Sequence, residues 1–429
     1  GGRAAVEGGG WQTYGTVELP EWLALRRGES DFSDIPVFDA QSLPEHVRED
    51  PSWADRPFIL RGCQRLLDMQ EDLSREKLVE AARSSACNIS VGYSWSIARN
   101  GGEGHERMPL LDYLCRRMRE RWYDGDTQLE PAYAFDPRAD LPGLPGKEDV
   151  HPLIRSWHEP SLAQSSRLTM LGAAGSAVGW HRHGAAAQMT VHGWKRWLLY
   201  PLGTYPPGDG PGGGFSITDW LQVVYPTLQG EHAPLECIQR PGDTVYVPSG
   251  WYHAVANLAD AVAVTIQSPW MVPESQDYFK GTSLADVARL REEEPEVLAE
   301  LVEAARERIS AEPRNNLHAR RVLFYALRDE RPREAVEVML EGTLLDPFHV
   351  PLQFELAKWL GELASAGDES ALQEFRTAMR SWEPHLRANT RNLKALWILS
   401  KYYKLTGQSE ELDRFHGRLV ELNDRGIDR

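Results

Sequence analysis

Alternating polar and apolar residues in the middle of this chain predict β-strands. In GDTVYVPSGWYH, residues 242–253, the two kinds of residue alternate after a turn at Pro241–Gly242, and the chain turns again at Pro248–Gly250. The stretch GWKRWLLYP, residues 193–201, is typical of a further strand. These patterns predict the strands of a small β-barrel, whose core we expect near residues 151–272.

A helical periodicity replaces this alternation after about residue 283 and continues to the end of the chain. We expect helices at 285–309, 315–329, 332–345, 350–365, 369–380, 392–406 and 408–423. Proline and glycine residues separate them: Pro313, Pro332, Pro347, Gly367, Pro384 and Gly407. Two stretches, beginning LFYALRDERPREAV and LWILSKYYKLTGQS, each place two helices around a short polar turn, which resembles degenerate tetratricopeptide repeats. A plain helical bundle is the alternative.

Together the two patterns predict an α+β chain in three parts. Residues 1–30 begin with the Gly-rich stretch GGRAAVEGGG, which is typical of a flexible lead. Residues 31–282 contain the barrel, and short strands and helices precede its core. Residues 283–429 form an all-α domain, either a helical repeat or a bundle.

Charge and hydropathy narrow the range of partners. The formal net charge of −16 disfavours nucleic acid and anionic membrane surfaces, because phosphate binding relies on clustered lysines and arginines. No apolar run approaches the roughly 20 residues that span a bilayer. We therefore expect neither a nucleic-acid partner nor a membrane span.

Three histidines are candidate metal ligands. His181 and His183 are two residues apart in GWHRHG, so their side chains leave the same face of an extended strand. His253 follows the second turn of the hairpin and is the candidate third ligand. Imidazole nitrogens bind iron, copper, nickel or zinc, and three protein ligands leave coordination positions open for chemistry. The alternative is that these histidines only form hydrogen bonds to backbone or water.

These motifs resemble the JmjC (Jumonji C) group of the cupin superfamily over roughly residues 30–272. The stretches IPVFDA and RPFILRGC resemble its lead-in, and the HxH pair, GWKRWLLYP and PGDTVYVPSGWYHAVANL follow in family order. The resemblance implies a JmjC-type double-stranded β-helix, the cupin barrel, and an Fe(II)- and 2-oxoglutarate-dependent oxygenase. It also implies that His181, His183 and His253 hold the iron, and that Lys195 meets the distal carboxylate of 2-oxoglutarate. The alternative for Lys195 is a stem that covers Trp197 and an ammonium that reaches solvent.

Two features depart from the usual family pattern. The family has Asp or Glu where this chain has His183, and the spacing from His183 to Lys195 is one residue shorter. Both features, with Gly184, resemble a branch of the endoplasmic-reticulum lumen whose motif is HxHG, and APLEC at 233–237 is similar to that branch. Asn88-Ile89-Ser90 is an N-glycosylation acceptor pattern. We therefore expect the secretory pathway or the endoplasmic-reticulum lumen, with the cytoplasm as the alternative.

Two functions follow from this pattern. The first is a hydroxylase with an atypical three-histidine metal site that acts on a protein or small-molecule substrate. The second is a metal-binding or inactive scaffold that acts as a protein-interaction adaptor through its helical tail. In either case we expect a peptide partner for the helical tail or a homodimer as further interactions.

Overall fold

The computed structural model describes residues 7–17, 19, 23, 32–85, 87–94, 97, 106–124, 127–139, 141, 143–162, 164–208, 215–269, 279, 282–311, 316–389 and 392–424. The chain divides into two compact units. The sheet unit comprises residues 1–202, 216–221 and 229–272, and the helical unit comprises residues 203–215, 222–228 and 273–429. The β-sheet domain followed by a helical region confirms the expected α+β class.

The strands of the sheet unit are short, and those near the expected barrel core are rich in β-branched and aromatic residues. They are β1 (Val37–Asp39), β2 (Phe58–Arg61), β3 (Asn88–Gly92), β4 (Glu106–Pro109), β5 (Arg121–Asp124), β6 (Thr127–Pro131), β7 (Tyr133–Asp136), β8 (Ser166–Gly172), β9 (Ala177–His181), β10 (Ala186–His192), β11 (Lys195–Tyr200), β12 (Leu235–Gln239), β13 (Thr244–Val247), β14 (Tyr252–Asn257) and β15 (Ala261–Gln267).

Two sheets make up the barrel. Within the described residues, a larger nine-stranded sheet has the order β1-β2-β13-β10-β15-β8-β7-β3-β4, and a smaller four-stranded sheet has the order β12-β11-β14-β9. Apart from the parallel pair β1 and β2, neighbouring strands in both sheets are antiparallel. The turn expected at Pro248–Gly250 is present, because β13 ends at Val247 and β14 begins at Tyr252. The expected hairpin is wrong, since β13 pairs with β10 and β2 in the larger sheet and β14 pairs with β11 and β9 in the smaller one. The turn therefore carries the chain from one sheet to the other, which local alternation cannot reveal.

At the centre of the larger sheet both faces are buried. Nearly every residue along β8, β10 and β15 is therefore buried. Along β10, Ala187, Met189 and Val191 pack into a hydrophobic core on one face, and Ala186 and Gln188 line a cavity on the other. The former core includes residues of helices that belong to the sheet unit. These helices are α1 (Glu45–Glu49), α2 (Gln64–Asp68), α3 (Arg75–Ser84), α4 (Leu110–Cys115) and α5 (Pro152–Leu162), and α6 (Ile217–Val223) follows later in the chain.

Residues 7–17, within the stretch expected as a lead, contact the sheet unit. Trp11 is buried, and its indole N–H donates to the carbonyl of Leu73 over 3.0 Å. The amide of Gln12 donates to Asp260 over 3.0 Å. This part of the chain therefore contributes a core side chain before the first strand.

The helical unit contains α7 (Leu284–Glu293), α8 (Pro295–Ala311), α9 (Leu317–Leu327), α10 (Pro332–Leu345), α11 (Val350–Ser365), α12 (Glu369–Ala388), α13 (Leu393–Thr406) and α14 (Ser409–Asp424). Its core includes Phe324, Met339, Leu356, Phe375 and Trp382. No helix among the described residues is long and apolar enough to cross a membrane.

Two expected helix boundaries are wrong. The helix expected at 285–309 is two helices, because the backbone leaves helical geometry at Glu294 and Pro295 begins the next helix. The helix expected at 369–380 continues to Ala388 through Pro384. Proline in a helix interior removes one backbone hydrogen bond. Here the helix continues because Trp382 and Leu386 on either side of the exposed Pro384 are both buried in the core.

Candidate metal centre and cofactor pocket

The smaller sheet brings the three histidines together. His181 is the last residue of β9 and is the cross-strand partner of His253 in β14. His183 lies two residues beyond β9, where its carbonyl accepts a hydrogen bond from the amide of Gly250 over 2.9 Å. The turn before β14 therefore positions His253 and also holds the segment that carries His183.

The distances between the rings suit a single ion. One ring nitrogen from each histidine can be chosen so that all three atoms lie within 4.8 Å of one another. The ring centroids are 4.2 Å apart for His181 and His253, 4.7 Å for His183 and His253, and 5.3 Å for His181 and His183. We call these three residues the histidine triad.

Backbone carbonyls determine which nitrogen of each ring faces the shared point. Nδ1 of each histidine lies within hydrogen-bond distance of a carbonyl oxygen: 2.7 Å to Gly179 for His181, 2.7 Å to Gly184 for His183 and 3.0 Å to Trp251 for His253. A carbonyl can only accept, so each Nδ1 carries the hydrogen and each Nε2 keeps its lone pair. The expected alternative, a bond to backbone, is thus present at Nδ1 and leaves Nε2 available for a metal.

Burial keeps the triad neutral. It lowers the pKa of all three imidazoles, because desolvation disfavours the charged ring. For His183, burial and the neighbouring His181 lower the pKa to about 3. A neutral imidazole is the form that binds a metal, so at pH 7 the triad needs no proton loss to become a ligand set.

Gly184 allows the backbone at His183 to approach a neighbouring segment. A Cβ at this position would lie 2.2 Å from the carbonyl oxygen of Ser268 and 2.5 Å from that of Pro269. Because both contacts are to backbone atoms, no rotation of a side chain could relieve them. The glycine of the HxHG motif is therefore required by packing next to the triad.

A mostly apolar cavity lies between the two sheets and includes the triad in its wall. Its polar side chains other than the histidines are Tyr133, Gln188 and Thr265. Gln188 is 5% exposed, and its Oε1 has no hydrogen-bond partner among the described residues. The rest of the wall is Phe135, Leu168, Met170, Val178, Ala186, Trp197, Val247 and Val255.

Lys195 is fully buried at the start of β11. Its Nζ donates to the hydroxyl of Tyr133 over 2.9 Å and to Oδ1 of Asn257 over 2.8 Å. Burial lowers its pKa from 10.5 to about 7. The ammonium does not reach solvent, which excludes the alternative in which the stem covers Trp197 and the charge is exposed. Lys195 does not line the cavity, but it is hydrogen-bonded to Tyr133, which does.

Sequence patterns did not identify Tyr133, Gln188 or Asn257. A signal for Asn257 existed, because residues 253, 255 and 257 lie on one face of a strand that begins with a candidate ligand. The same alternation along β10 would have placed Gln188 on the cavity face. Tyr133 had no such signal, since β7 precedes the motifs by about fifty residues and joins them only in the larger sheet.

The sheet unit is similar in sequence to a known protein family and to several named proteins. Residues 55–270 match the family described as "Cupin-like domain". Arginine-specific demethylase JMJ22 of Arabidopsis thaliana is 32% identical over 60% of this chain and 56% of its own length. The 2-oxoglutarate and iron-dependent oxygenase JMJD4 of Mus musculus is 36% identical over 18% of this chain and 19% of its own length.

Among solved structures, the ribosomal oxygenase YcfD from Escherichia coli in complex with cobalt and 2-oxoglutarate is 15% identical, with a TM-score of 0.26. That alignment covers 56% of this chain and 54% of the YcfD chain. This chain spans no more than 56% of the length of any of these three proteins.

Proposed function

This chain belongs to the cupin-like domain family, and we propose that it is an Fe(II)- and 2-oxoglutarate-dependent oxygenase that hydroxylates a protein substrate. The observation that carries the proposal is the histidine triad, in which one ring nitrogen from each histidine lies within 4.8 Å of the other two at the wall of an apolar cavity. The names of two relatives support it, since one is an arginine-specific demethylase and the other an iron- and 2-oxoglutarate-dependent oxygenase.

The donor set of the triad fits iron. Three imidazole nitrogens on one side of an ion suit iron and leave other coordination positions for co-substrate and dioxygen. Bound there, Fe(II) would supply the redox chemistry that couples dioxygen reduction to oxidation of 2-oxoglutarate and the substrate. The contribution of this chain is to hold the three rings in one tautomer and to surround the site with apolar side chains that exclude bulk water.

We assign the distal carboxylate of 2-oxoglutarate to the group formed by Lys195, Tyr133 and Asn257. Among the described residues, the Lys195 ammonium has only neutral hydrogen-bond partners, so a carboxylate near Tyr133 would provide the counter-charge that a buried cation needs. Gln188 offers a buried polar atom without a partner on the same cavity wall. A ligand in this cavity can therefore satisfy polar groups that the protein leaves incompletely paired.

The cellular compartment of this protein and the binding partners of its helical unit are predictions. Asn88, the candidate glycosylation site, is exposed at the first residue of β3, which is compatible with the secretory pathway or the endoplasmic-reticulum lumen. We further propose that the helical unit binds a peptide partner or a second copy of the chain.

Consumption of 2-oxoglutarate tests the proposed activity. The full chain is reconstituted anaerobically with Fe(II), and 2-oxoglutarate loss and succinate formation are measured after oxygen is admitted. We expect both to depend on Fe(II) and to be absent in His253→Ala. Iron bound at the triad without any binding of 2-oxoglutarate, measured by titration, would contradict the oxygenase and favour the scaffold.

A further inference from the structure

We propose that this chain binds its metal ion and a dicarboxylate cooperatively, each being weakly held without the other, because the protein provides no negative charge at the site. The inference rests on the proposed function, since it concerns the same triad and cavity. It goes beyond that function by stating that the co-substrate is also needed for retention of the metal.

None of the described side chains that line the cavity is an aspartate, glutamate, lysine or arginine. An imidazole that binds a metal is neutral, and the rest of the wall is apolar apart from one phenol, one amide and one hydroxyl. Beyond the wall, Lys195 is bonded to Tyr133 and adds a positive charge when it is protonated. A divalent ion at the triad would therefore keep its full charge.

The buried carboxylates of the sheet unit point elsewhere. Among its described residues, Asp136, Asp243 and Asp260 are at most 1% exposed, and none of them lines the cavity. Their oxygens accept hydrogen bonds from backbone amides and arginines: Ser90 and Arg107 for Asp136, Arg240 and Arg61 for Asp243, and Gln12 and Arg119 for Asp260. The three carboxylates are therefore engaged in structural hydrogen bonds, and none of these bonds involves a triad histidine.

An uncompensated dication in an apolar cavity is costly, because desolvation of a charge is repaid only by an opposite charge or by strong hydrogen bonds. A dicarboxylate brings two negative charges, one carboxylate at the ion and the distal one at Lys195, so it offsets part of the positive charge at each. Because the two binding equilibria are linked, the dicarboxylate must strengthen metal binding by the same factor by which the metal strengthens dicarboxylate binding. An aspartate at position 183 would supply part of this charge from the protein and so reduce the coupling.

Titrations with Mn(II), which does not turn over, measure this coupling in the full chain. We expect saturating 2-oxoglutarate to tighten Mn(II) binding by about tenfold or more, a coupling within the usual range. In His183→Asp we expect tighter Mn(II) binding alone and a coupling of about threefold or less. His183→Gln is the matched control, because it is neutral: it should bind Mn(II) more weakly and keep the large coupling.

The possible results separate this inference from the function on which it rests. Mn(II) binding to the wild type that is equally tight with and without 2-oxoglutarate would overturn the coupling and leave the metal site in place. A coupling of the same size in wild type and His183→Asp would overturn its explanation by charge. No Mn(II) or Fe(II) binding under any condition would overturn the proposed function and the inference together.

Discussion

The histidine triad and the Lys195 group, formed by Lys195, Tyr133 and Asn257, are held in different ways. Each triad imidazole is oriented by a backbone carbonyl no more than two residues away in sequence. Lys195 is held by two side chains, each 62 residues away along the chain. The triad geometry therefore depends on local backbone conformation, and the Lys195 geometry depends on how the sheets pack.

Burial lowers the pKa in both groups, with different consequences at neutral pH. The triad becomes more firmly neutral, which is the state that binds a metal. Lys195 is brought to a pKa of about 7, where a small change in its surroundings decides whether it carries a charge. In the absence of a dicarboxylate, metal binding should therefore be insensitive to pH changes near 7 at which dicarboxylate binding changes strongly.

Loss of a triad histidine should have the largest effect. We expect His253→Ala and His181→Ala each to abolish metal binding, because two imidazoles remain around a site built for three ligands. Metal content after anaerobic reconstitution with Fe(II) and saturating 2-oxoglutarate measures this. His192→Asn is the matched control, since His192 is also buried and within hydrogen-bond distance of a carbonyl but lies outside the triad. Full metal occupancy in His253→Ala would show that the triad is not the site.

Removal of the Lys195 charge should act directly on the co-substrate. Lys195→Met keeps most of the side-chain volume, and truncating one partner of a buried charge pair typically costs about 2–5 kcal/mol. We therefore expect 2-oxoglutarate to bind at least about tenfold more weakly, while Mn(II) affinity in the absence of 2-oxoglutarate stays unchanged. Calorimetric titration with Mn(II), and then of the Mn(II)-loaded protein with 2-oxoglutarate, checks both, and Lys77→Met, at an exposed lysine, serves as the control. Equal affinities would remove Lys195 from the co-substrate site.

The same lysine should make 2-oxoglutarate binding depend on pH. Because burial lowers the pKa of Lys195 to about 7, its charged form is lost as the pH rises through 7. A carboxylate prefers the charged form, so affinity should fall above pH 7 by up to about tenfold per pH unit. Titrations between pH 6 and 9 should show this slope in the wild type and a flat profile in Lys195→Met. A flat wild-type profile would indicate that the bound carboxylate does not meet the ammonium.

A substitution at Gly184 should disturb the triad through the backbone. The Cβ of Gly184→Ala would lie 2.2 Å from the carbonyl of Ser268, so a neighbouring segment must shift. We expect the unfolding free energy to fall by about 1–3 kcal/mol, as for other overpacked sites, and metal affinity to fall with it. Gly417→Ala, where a Cβ would meet no atom within 4 Å, is the control and should be neutral or slightly stabilising. Unchanged metal affinity in Gly184→Ala would show that the triad tolerates movement of its backbone.

Local patterns along the chain were sufficient to locate most of the fold. The α+β class, the turn before β14 and most of the helix boundaries followed from periodicity and from turn residues, because both act over a few neighbouring residues. The pairing of β13 and β14 did not follow, since each strand pairs in a different sheet. The helix through Pro384 did not follow, since burial of Trp382 and Leu386 outweighs the local cost of proline. The same limit applies to the cavity, whose wall combines strands from both sheets.

The sequence by itself determined which residues are candidate ligands, because His181 and His183 share a strand face and His253 follows a recognisable turn. Only the tertiary structure decided that the three rings meet, that each Nδ1 lies within hydrogen-bond distance of a carbonyl, and that no carboxylate among the described residues joins them at the cavity wall. It also decided the partners of Lys195. The physical reason is range: strand alternation and turn chemistry are local, whereas ring distances, burial and the charge of a cavity depend on strands paired across the sheets.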